Sequence, residues 1–173
     1  MITVIVQDCN NFSQDFYDSV VNSLQLHRLR CSCGHSGCMG IHAYYERQVH
    51  SSEGSHALRI QRLRCSECSR THAVLLSSIV PYQQLPAEDQ RLIVRAFEEH
   101  SDPMAVCTPH GTIDENNVKA VILRYRRYWR ERLRAEGIPL APLTALVMRC
   151  FACYSSQFLQ IRRSKNVLLK DTT

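Results

Sequence analysis

Two compact groups of cysteines constrain the fold of this chain more than any other feature. The first reads CSCGHSGC and contains Cys31, Cys33 and Cys38, and the second reads CSEC and contains Cys65 and Cys68. A structural Zn²⁺ site takes four ligands in a tetrahedron, and two tight turns that each offer a pair of thiolates can supply them. The spacing therefore predicts one structural zinc ion held between the two groups.

The second group is clear, because the two-residue gap between Cys65 and Cys68 lets both sulfurs face one metal. The first group offers three thiols for two places. Gly34 directly follows Cys33, and glycine tolerates the strained backbone of a turn that aims N–H groups at sulfur. The predicted ligands are therefore Cys31, Cys33, Cys65 and Cys68. Cys38 could replace Cys31, and His35, His42 or His72 could replace a cysteine.

The segment between the two groups, residues 41–64, alternates in side-chain character on both sides of a Ser/Glu/Gly turn, which predicts an antiparallel hairpin. Two cysteine turns joined by such a hairpin are typical of a zinc ribbon. The hairpin is too short to bury a core of its own, so metal binding would replace the missing hydrophobic free energy. A zinc ion with four protein ligands has no open position for water, which makes the predicted ion structural rather than catalytic.

Further strands and helices are expected on both sides of the ribbon. A β-branched run at residues 1–6 predicts a strand, and apolar residues at helical spacing after Asn10 and Asn11 predict a helix. Further helices are expected from Leu85 to Ser101, at 104–107, from Asp114 to Gly137 and at 142–161. The expected fold class is α+β, with a small zinc-ribbon β-hairpin domain followed by a mostly helical helix-turn-helix region. The expected segments are 1–27 (N-terminal strand and helix), 28–82 (zinc ribbon), 83–138 (helix-turn-helix) and 139–173 (C-terminal helix and basic tail).

Charge is distributed unevenly along the chain, whose net charge is +5. The ribbon and residues 118–135 are basic, and the acidic segment 81–117 lies between them. A basic helix that follows a helix and a short turn is typical of helix-turn-helix DNA binding, in which arginine contacts phosphates and guanine edges. The predicted nucleic-acid-binding residues are Arg47, Arg59, Arg62 and Arg64 on the ribbon, and Lys119, Arg124, Arg126, Arg127, Arg130 and Arg134 on the long helix.

Two other partners fit the same residues. An acidic protein surface can dock on the arginines, which would make the chain an adaptor or inhibitor of a nucleic-acid enzyme. RNA is the third candidate, with Tyr44, Tyr45 or Tyr125 stacking on unpaired bases. Arginines on the hairpin also have a simpler explanation, since charge protects an exposed sheet edge from aggregation.

Several function classes find no support in the sequence. The motifs of zinc peptidases, zinc deaminases, P-loop enzymes and dinucleotide-binding enzymes are absent, so no catalytic residue is predicted. No segment has the length and apolar character of a membrane span. The nine cysteines are an odd number and several form close pairs, and the N-terminus lacks the basic and apolar pattern of a signal peptide. These features favour a reducing cytoplasm with metal-bound thiolates. The CxxC pair Cys150 and Cys153 is expected to share the buried face of the last helix.

The segment IQRLRCSECSRTHAVLLSSIVPY, the helix VILRYRRYWRERL and the final QFLQI together resemble a bacterial family with a zinc ribbon followed by a helix-turn-helix. That family is similar to the DNA-recognition part of insertion-sequence transposases. The resemblance is most specific between Cys65 and Tyr82, and it implies DNA recognition. In those transposases an acidic nuclease domain follows, whereas here only Asp171 follows Pro142 as an acid, so the two-metal carboxylate site is absent. The resemblance therefore implies an accessory or regulatory protein, tied to a mobile element, that binds DNA without cleaving it.

Overall fold

The computed structural model describes residues 1–106 and 111–161, which form a four-stranded mixed sheet and several helices. The expected α+β class is confirmed. The predicted basic tail and Cys107 lie outside the described residues. No helix within the described ranges is both long enough and apolar enough to cross a membrane.

The strands are β1 (Ile2–Val4), β2 (Met39–Ser51), β3 (Gly54–Cys65) and β4 (Thr71–Leu76). The α-helices are α1 (Gln14–Asn22), α2 (Ala87–Glu98), α3 (Glu115–Tyr128), α4 (Arg130–Ala135) and α5 (Leu143–Tyr154), with 3₁₀ turns at Leu26–Arg28 and Pro103–Val106.

The hairpin expected between the two cysteine groups is formed by β2 and β3. These strands pair antiparallel from Met39 opposite Cys65 to Ser51 opposite Gly54. Gly54 has a φ of +143°, a conformation that favours glycine, at the start of β3. The next strand, β4, returns antiparallel to β3, and β1 pairs parallel to β4, so the strand order is β1-β4-β3-β2. The N-terminal strand therefore extends the same sheet to which the β2–β3 hairpin belongs.

A buried tyrosine of α1 continues the hydrogen bonding between two strands where their direct pairing stops. The pairing of β3 with β4 runs as far as Arg62 opposite Ala73. Beyond that point the hydroxyl of Tyr17 accepts the N–H of Gln61 and donates to the carbonyl of Val74, each at 2.9 Å. Buried backbone groups require hydrogen-bond partners. The Tyr17 hydroxyl therefore takes the place of the direct hydrogen bond between β3 and β4 that is missing at this position.

A second side chain of α1 makes a similar contact with β3. The Oε1 atom of Gln14 accepts the N–H of Arg59 at 2.8 Å, and its Nε2 atom donates to the Arg59 carbonyl at 3.4 Å. Ser13 caps the helix by accepting the N–H of Phe16. The helix expected in this region therefore packs on the β2–β3 hairpin and is joined to it through backbone groups of β3.

The Tyr17 bridge generates a stability prediction. Tyr17→Phe removes only the hydroxyl, which bonds Gln61 and Val74, and a buried polar group left without its partner costs about 1–3 kcal/mol. We expect the free energy of unfolding to fall by that amount, measured by urea denaturation. Tyr44→Phe, at a residue that is 44% exposed, is the control and should change stability by less than about 0.5 kcal/mol. Equal effects of the two substitutions would show that the hydroxyl does not bridge the strands.

The hydrophobic side chains form two main clusters and one small one. The first cluster lies between α1 and the sheet and includes Tyr17, Val21, Leu58, Ile60, Leu63 and Leu76. The second lies among the helices and includes Ile93, Val121, Tyr125, Trp129, Leu133, Leu146 and Phe158. The small cluster joins Val80 and Ala87 to Leu143, Val147 and Phe151 of α5. The apolar face predicted for the long helix is thus buried in the second cluster.

The long helix predicted over residues 114–137 is interrupted at Trp129, which separates α3 from α4. The φ angle of Trp129 is −123°, outside the helical range. Its side chain is 1% exposed, its indole N–H donates to the Gln160 carbonyl at 3.3 Å, and its ring packs edge-on against Tyr154 and Phe158. Anchoring of this large side chain accounts for the break, which residue periodicity does not indicate.

The last helix is shorter than predicted. It ends at Tyr154 rather than at Ile161, and Ser155 follows in the left-handed conformation with a φ of +51°. The residues after it form a buried segment in which the side-chain amide of Gln157 donates to the carbonyl of Ser77. The apolar and polar residues of this segment therefore complete the core without being helical.

The two cysteines of α5 have different environments. Cys150 is fully buried, as expected for a core residue. Cys153 is exposed, so the expectation that both share the buried face is wrong for it. Side chains three residues apart on a helix point in directions that differ by about 60° around its axis. Because the buried face of α5 is narrow, this rotation places Cys153 outside it.

The second cluster generates another stability prediction. Leu146 is fully buried on α5, whereas Met148 on the same helix is 53% exposed. Leu146→Ala should lower the unfolding free energy by about 2–5 kcal/mol because it opens a cavity. Met148→Ala should change it by less than about 0.5 kcal/mol. The fluorescence of Trp129, the single tryptophan, reports the transition from within the same cluster. A small effect at Leu146 would be inconsistent with a packed core.

Candidate metal centre

Four cysteines meet at the open end of the β2–β3 hairpin. The Sγ atoms of Cys31, Cys33, Cys65 and Cys68 all lie within 4.8 Å of one another. The separation is 3.6 Å between Cys31 and Cys68 and 3.7 Å between Cys33 and Cys65. Cys31 and Cys65 are buried, and the other two are half-buried. The structure thus brings together the four residues that the spacing indicated as ligands.

The dimensions of this cluster fit a tetrahedral metal ion. With Zn–S bonds of about 2.3 Å, a regular tetrahedron places its sulfurs about 3.8 Å apart. The separations of 3.6 and 3.7 Å are close to that value. Four sulfur donors in such an arrangement suit a soft or borderline cation and do not suit Mg²⁺ or Ca²⁺, which take oxygen ligands.

The first cysteine turn is closed by its own backbone. The N–H of Gly34 donates to the Cys31 carbonyl at 2.9 Å, and the N–H of Cys31 donates to the His35 carbonyl at 2.8 Å. Gly34 has a φ of +100°, in the region that favours glycine. This conformation places Cys31 and Cys33 on the same side of the turn although only one residue separates them. The role inferred for Gly34 from its position matches this geometry.

The second cysteine turn follows β3 directly. The N–H of Ser69 donates to the Cys65 carbonyl at 3.0 Å, and the N–H of Cys68 points at the Cys65 sulfur at 3.5 Å. Ser69 has a φ of +57°, which closes the turn after Cys68. The Nη1 atom of Arg70 donates to Ser32 Oγ at 3.3 Å and so connects this turn to the first one.

The thiols of the cluster differ in acidity. Burial by itself would raise the pKa of Cys65, but N–H groups of Cys68 and Glu67 and the thiol of Cys38 lower it to about 6. The N–H of Arg70 favours ionisation of Cys68, yet burial and the surrounding thiols raise its pKa to about 12. The four thiols therefore cannot all ionise side by side at neutral pH unless a cation offsets their charge, and metal binding would release the remaining protons.

His72 lies beside the cluster and is not one of its four members. Its Nε2 atom is 3.4 Å from the Cys31 sulfur, and its Nδ1 atom is 3.0 Å from the amino nitrogen of Met1. Burial and the positive charges of Met1 and Arg70 lower the pKa of His72 to about 4, so the ring is neutral at pH 7. A neutral ring can donate one N–H to the sulfur, and such bonds orient metal ligands. The sequence indicated His72 only as a replacement ligand, and no sequence pattern predicts the contact of its ring with the Cys31 sulfur.

Cys38, the candidate to replace Cys31 as a ligand, also lies next to the cluster. Its sulfur is 3.3 Å from that of Cys65 and 3.4 Å from the His35 carbonyl. Burial and the negative charge of Cys65 raise the pKa of Cys38 to about 11, so it remains a thiol beside an ionised neighbour.

The histidines considered as ligands, His35 and His42, also lie outside the cluster found among the described residues. The His35 ring contacts Cys33 from the side, and His42 is exposed.

The four arginines predicted on the ribbon do not form one stripe, because side chains alternate between the two faces of a strand. Arg59 stacks over the ring of Tyr44 at 4.2 Å. Arg47 and Arg62 line a cleft of about 390 Å³ together with Tyr45. Arg47 donates to two carbonyl groups of the segment that follows β4, those of Val80 and Gln83, so its guanidinium is engaged within the protein. Arg64 is exposed near the cysteine cluster.

The basic residues of α3 and α4 divide into two sets, of which the first faces α2. Arg130 and Arg134 form ion pairs with Glu98, at 2.7 and 3.4 Å. Arg124 is half-buried and donates to Gln90 Oε1 at 3.0 Å. These three guanidinium groups therefore hold the helices together.

The second set faces solvent on α3. Lys119 forms an exposed ion pair with Glu115 at 2.6 Å, a kind of pair that contributes little to stability. Arg126 and Arg127 are exposed, and neither forms an ion pair with any residue that the structure describes. The Arg127 guanidinium lies 5.2 Å from the ring centre of Tyr128. These two arginines form the part of the predicted set that is available to an external partner.

The tyrosines considered for base stacking also differ in exposure. Tyr44 is 44% exposed and lies under Arg59, whereas Tyr45 is half-buried. Tyr125 is 3% exposed and packs edge-on against Phe97, so the expectation that it stacks on an unpaired base is wrong. Its position on the apolar face of α3 is the reason.

Residues 32–113 match the model of a protein family described as "Domain of unknown function (DUF6431)". The matched region begins one residue after Cys31 and includes the other three clustered cysteines, strands β2 to β4 and helix α2. It ends before α3 begins. No curated protein and no solved structure gives a significant match to the chain.

The geometry of the cluster predicts the metal content of purified variants. We expect one zinc ion per chain in the wild type, measured by elemental analysis after removal of free metal. Cys33→Ser and Cys68→Ser should lose most of it, because an alcohol is a poor substitute for a thiolate ligand. Cys38→Ser is the matched control and should retain one ion, since Cys38 lies outside the four-sulfur cluster. Full zinc content in Cys33→Ser would disprove the assignment.

Proposed function

We propose that this chain is a zinc-dependent, non-catalytic DNA-binding protein of the cytoplasm, acting as an accessory or regulatory factor of a mobile element. The observation that carries the proposal is the solvent face of α3, where Arg126 and Arg127 are exposed and form no ion pair with a described residue, while Glu98 of α2 is paired with Arg130 and Arg134. The link to mobile elements rests on the resemblance to the recognition part of transposases.

In this proposal the four-cysteine cluster holds a structural Zn²⁺ ion. Cys31, Cys33, Cys65 and Cys68 would be its ligands, with the ion closing the open end of the hairpin. Structural zinc binds small domains with about 10–16 kcal/mol. That is comparable to the whole stability of a typical domain, about 5–15 kcal/mol, so the ion would add substantially to the stability that the core between the hairpin and α1 already provides.

In this proposal α2 and α3 would act as the two principal helices of the helix-turn-helix. The two helices are in contact, with the rings of Phe97 and Tyr125 packed edge-on and Arg124 bonded to Gln90. In such an arrangement the outer face of α3 would enter the major groove. That face carries Asn116, Lys119, Leu123, Arg126 and Arg127, which offer an amide, three cationic groups and one apolar group for contact with thymine methyls.

The acidic residues that precede α3 do not cancel this positive face. Glu98 is paired with Arg130 and Arg134, and Glu88 with Arg91 at 2.5 Å. Within the acidic segment identified in the sequence, Glu98 is thus paired with arginines of α4 and Glu88 with an arginine of α2. Arg59 and Arg64 on the hairpin remain exposed and would provide phosphate contacts apart from α3.

A protein partner is the second candidate, and one observation favours it. Leu123 is 65% exposed in the middle of the solvent face of α3, and Tyr128 near its end is 39% exposed. An apolar centre with arginines around it is also typical of a protein interface. In that case the chain would be an adaptor or inhibitor of a nucleic-acid enzyme. RNA is less favoured, because Tyr44 is the one exposed tyrosine among those considered for base stacking.

The DNA-binding proposal predicts a salt-dependent affinity that depends on α3. Fluorescence anisotropy with a labelled duplex of mixed sequence should show log K falling steeply with log salt. Each phosphate contact contributes about −0.9 to that slope, so Arg126→Ala combined with Arg127→Ala should reduce its magnitude by up to about 2. Arg149→Ala, which removes an exposed arginine of α5, is the control and should leave the slope unchanged.

Absence of binding by the wild type at low salt, or equal slopes for the double variant and the control, would exclude DNA recognition by α3. A pull-down from bacterial lysate with and without nuclease then separates the candidates. A partner retained after nuclease treatment and lost in Leu123→Asp would identify the protein-binding function instead.

A further inference from the structure

Cys38 is positioned against a predicted metal ligand without being one itself. Its sulfur lies 3.3 Å from the sulfur of Cys65, closer than the separations of 3.6 and 3.7 Å between paired members of the cluster. Four ligands complete a tetrahedral zinc site, so a fifth thiol has no place in it. The first cysteine group therefore holds one thiol more than the metal can use, in contact with a ligand.

A cleft opens from solvent onto both sulfur-bearing residues. It has a volume of about 370 Å³ and is lined by Cys38, Cys65, Gly40, Arg64 and Ser69, among others. The side chains of Cys38 and Cys65 are otherwise buried, at 9% and 0% exposure. A small oxidant such as hydrogen peroxide can enter a cleft of this size.

We propose that Cys65 and Cys38 form an oxidation site, in which a hydroperoxide converts the pair to a disulfide and removes a ligand from the metal. Loss of a metal ligand rests on the metal centre of the proposed function. Formation of the disulfide requires only the contact between Cys38 and Cys65. It assigns a role to the one cysteine of the first group that the metal does not need.

The reaction balances in two steps. In the first, the Cys65 thiolate attacks one oxygen of hydrogen peroxide, an S–O bond forms, the O–O bond breaks, and hydroxide leaves and takes a proton to become water. In the second, the sulfur of Cys38 attacks the resulting sulfenic acid, an S–S bond forms, the S–O bond breaks, and a second water leaves with the thiol proton. Each sulfur loses one electron, and the two electrons reduce the peroxide.

The consequence for the metal follows from the identity of the ligand. A disulfide sulfur carries no negative charge and is a weak ligand, so zinc keeps three cysteines and its affinity falls. The open end of the hairpin then loses its closure, and with it the ordered ribbon. A reductant that cleaves the disulfide restores all four ligands, which makes the loss of metal reversible.

The test treats purified, zinc-loaded full-length protein with hydrogen peroxide. Zinc release is followed with a metallochromic dye, and the disulfides are mapped by mass spectrometry after alkylation of free thiols. Trypsin releases the two cysteine groups as peptides 31–47 and 65–70, and fragment ions of the linked pair assign the bond. We expect a link between Cys38 and Cys65, and recovery of full zinc binding after reduction with dithiothreitol.

Two variants, each lacking one cysteine, test whether Cys38 is the partner of Cys65. Cys38→Ser should lose the Cys38–Cys65 link, and the yield of disulfide at Cys65 should fall, because the other thiols near it, such as Cys33 at 3.7 Å, are predicted metal ligands. More of the sulfenic acid at Cys65 then proceeds to irreversible sulfinic acid, so zinc binding should recover less completely on reduction than in the wild type. Cys153→Ser, which removes an exposed cysteine of α5, should behave as the wild type does.

Two results would overturn the inference. One is a peroxide-treated wild type in which Cys38 is still alkylated and only the other cysteines are linked. The other is a Cys38→Ser variant that recovers its zinc as fully as the wild type. The peptide map reads the Cys38–Cys65 bond whether or not metal or DNA is bound, so its failure would leave the DNA-binding proposal standing, and the reverse also holds.

Discussion

The constraint on which this structure depends is that four sulfur atoms, from two turns far apart in sequence, must lie within a few ångströms of one another. The register of the hairpin achieves this, since the pairing of Met39 with Cys65 sets the first turn directly against the second. Thiols so close resist joint ionisation, as the raised pKa of Cys68 shows. A divalent cation would remove that conflict, and the same ion would then fasten the hairpin at the end opposite its Ser51–Gly54 turn.

The rest of the chain supports this hairpin and connects it to the helices through polar contacts as well as apolar packing. Tyr17 and Gln14 of α1 complete the hydrogen bonding of β3. Arg47 fixes the segment after β4 by donating to two of its carbonyls, and Gln157 reaches back from beyond α5 to Ser77. Such buried polar contacts specify one arrangement of elements more tightly than apolar packing alone.

The cluster and the hairpin were predictable from sequence because both depend on local chemistry. The CxxC spacing, Gly34 and the alternating segment each act within a few residues, and the structure places Cys31, Cys33, Cys65 and Cys68 together. Contacts between distant residues were not predictable. The break at Trp129 depends on its contact with Gln160. Arg130 faces α2 because Glu98 lies there, whereas Arg126 faces solvent, and the sequence does not distinguish these two environments. The contact of Cys38 with Cys65 depends on strand register, which the spacing of cysteines along the chain does not specify.

The central claim, that four cysteines and no other group bind one zinc ion, is tested most directly by X-ray absorption at the zinc edge on the purified protein. We predict a single shell of four sulfur atoms at about 2.3 Å from the metal, with no nitrogen or oxygen neighbour. A shell that contains a histidine nitrogen at about 2.0–2.1 Å would place His72 or another imidazole in the site and contradict the claim. Protein that is folded but contains no metal would contradict it as well.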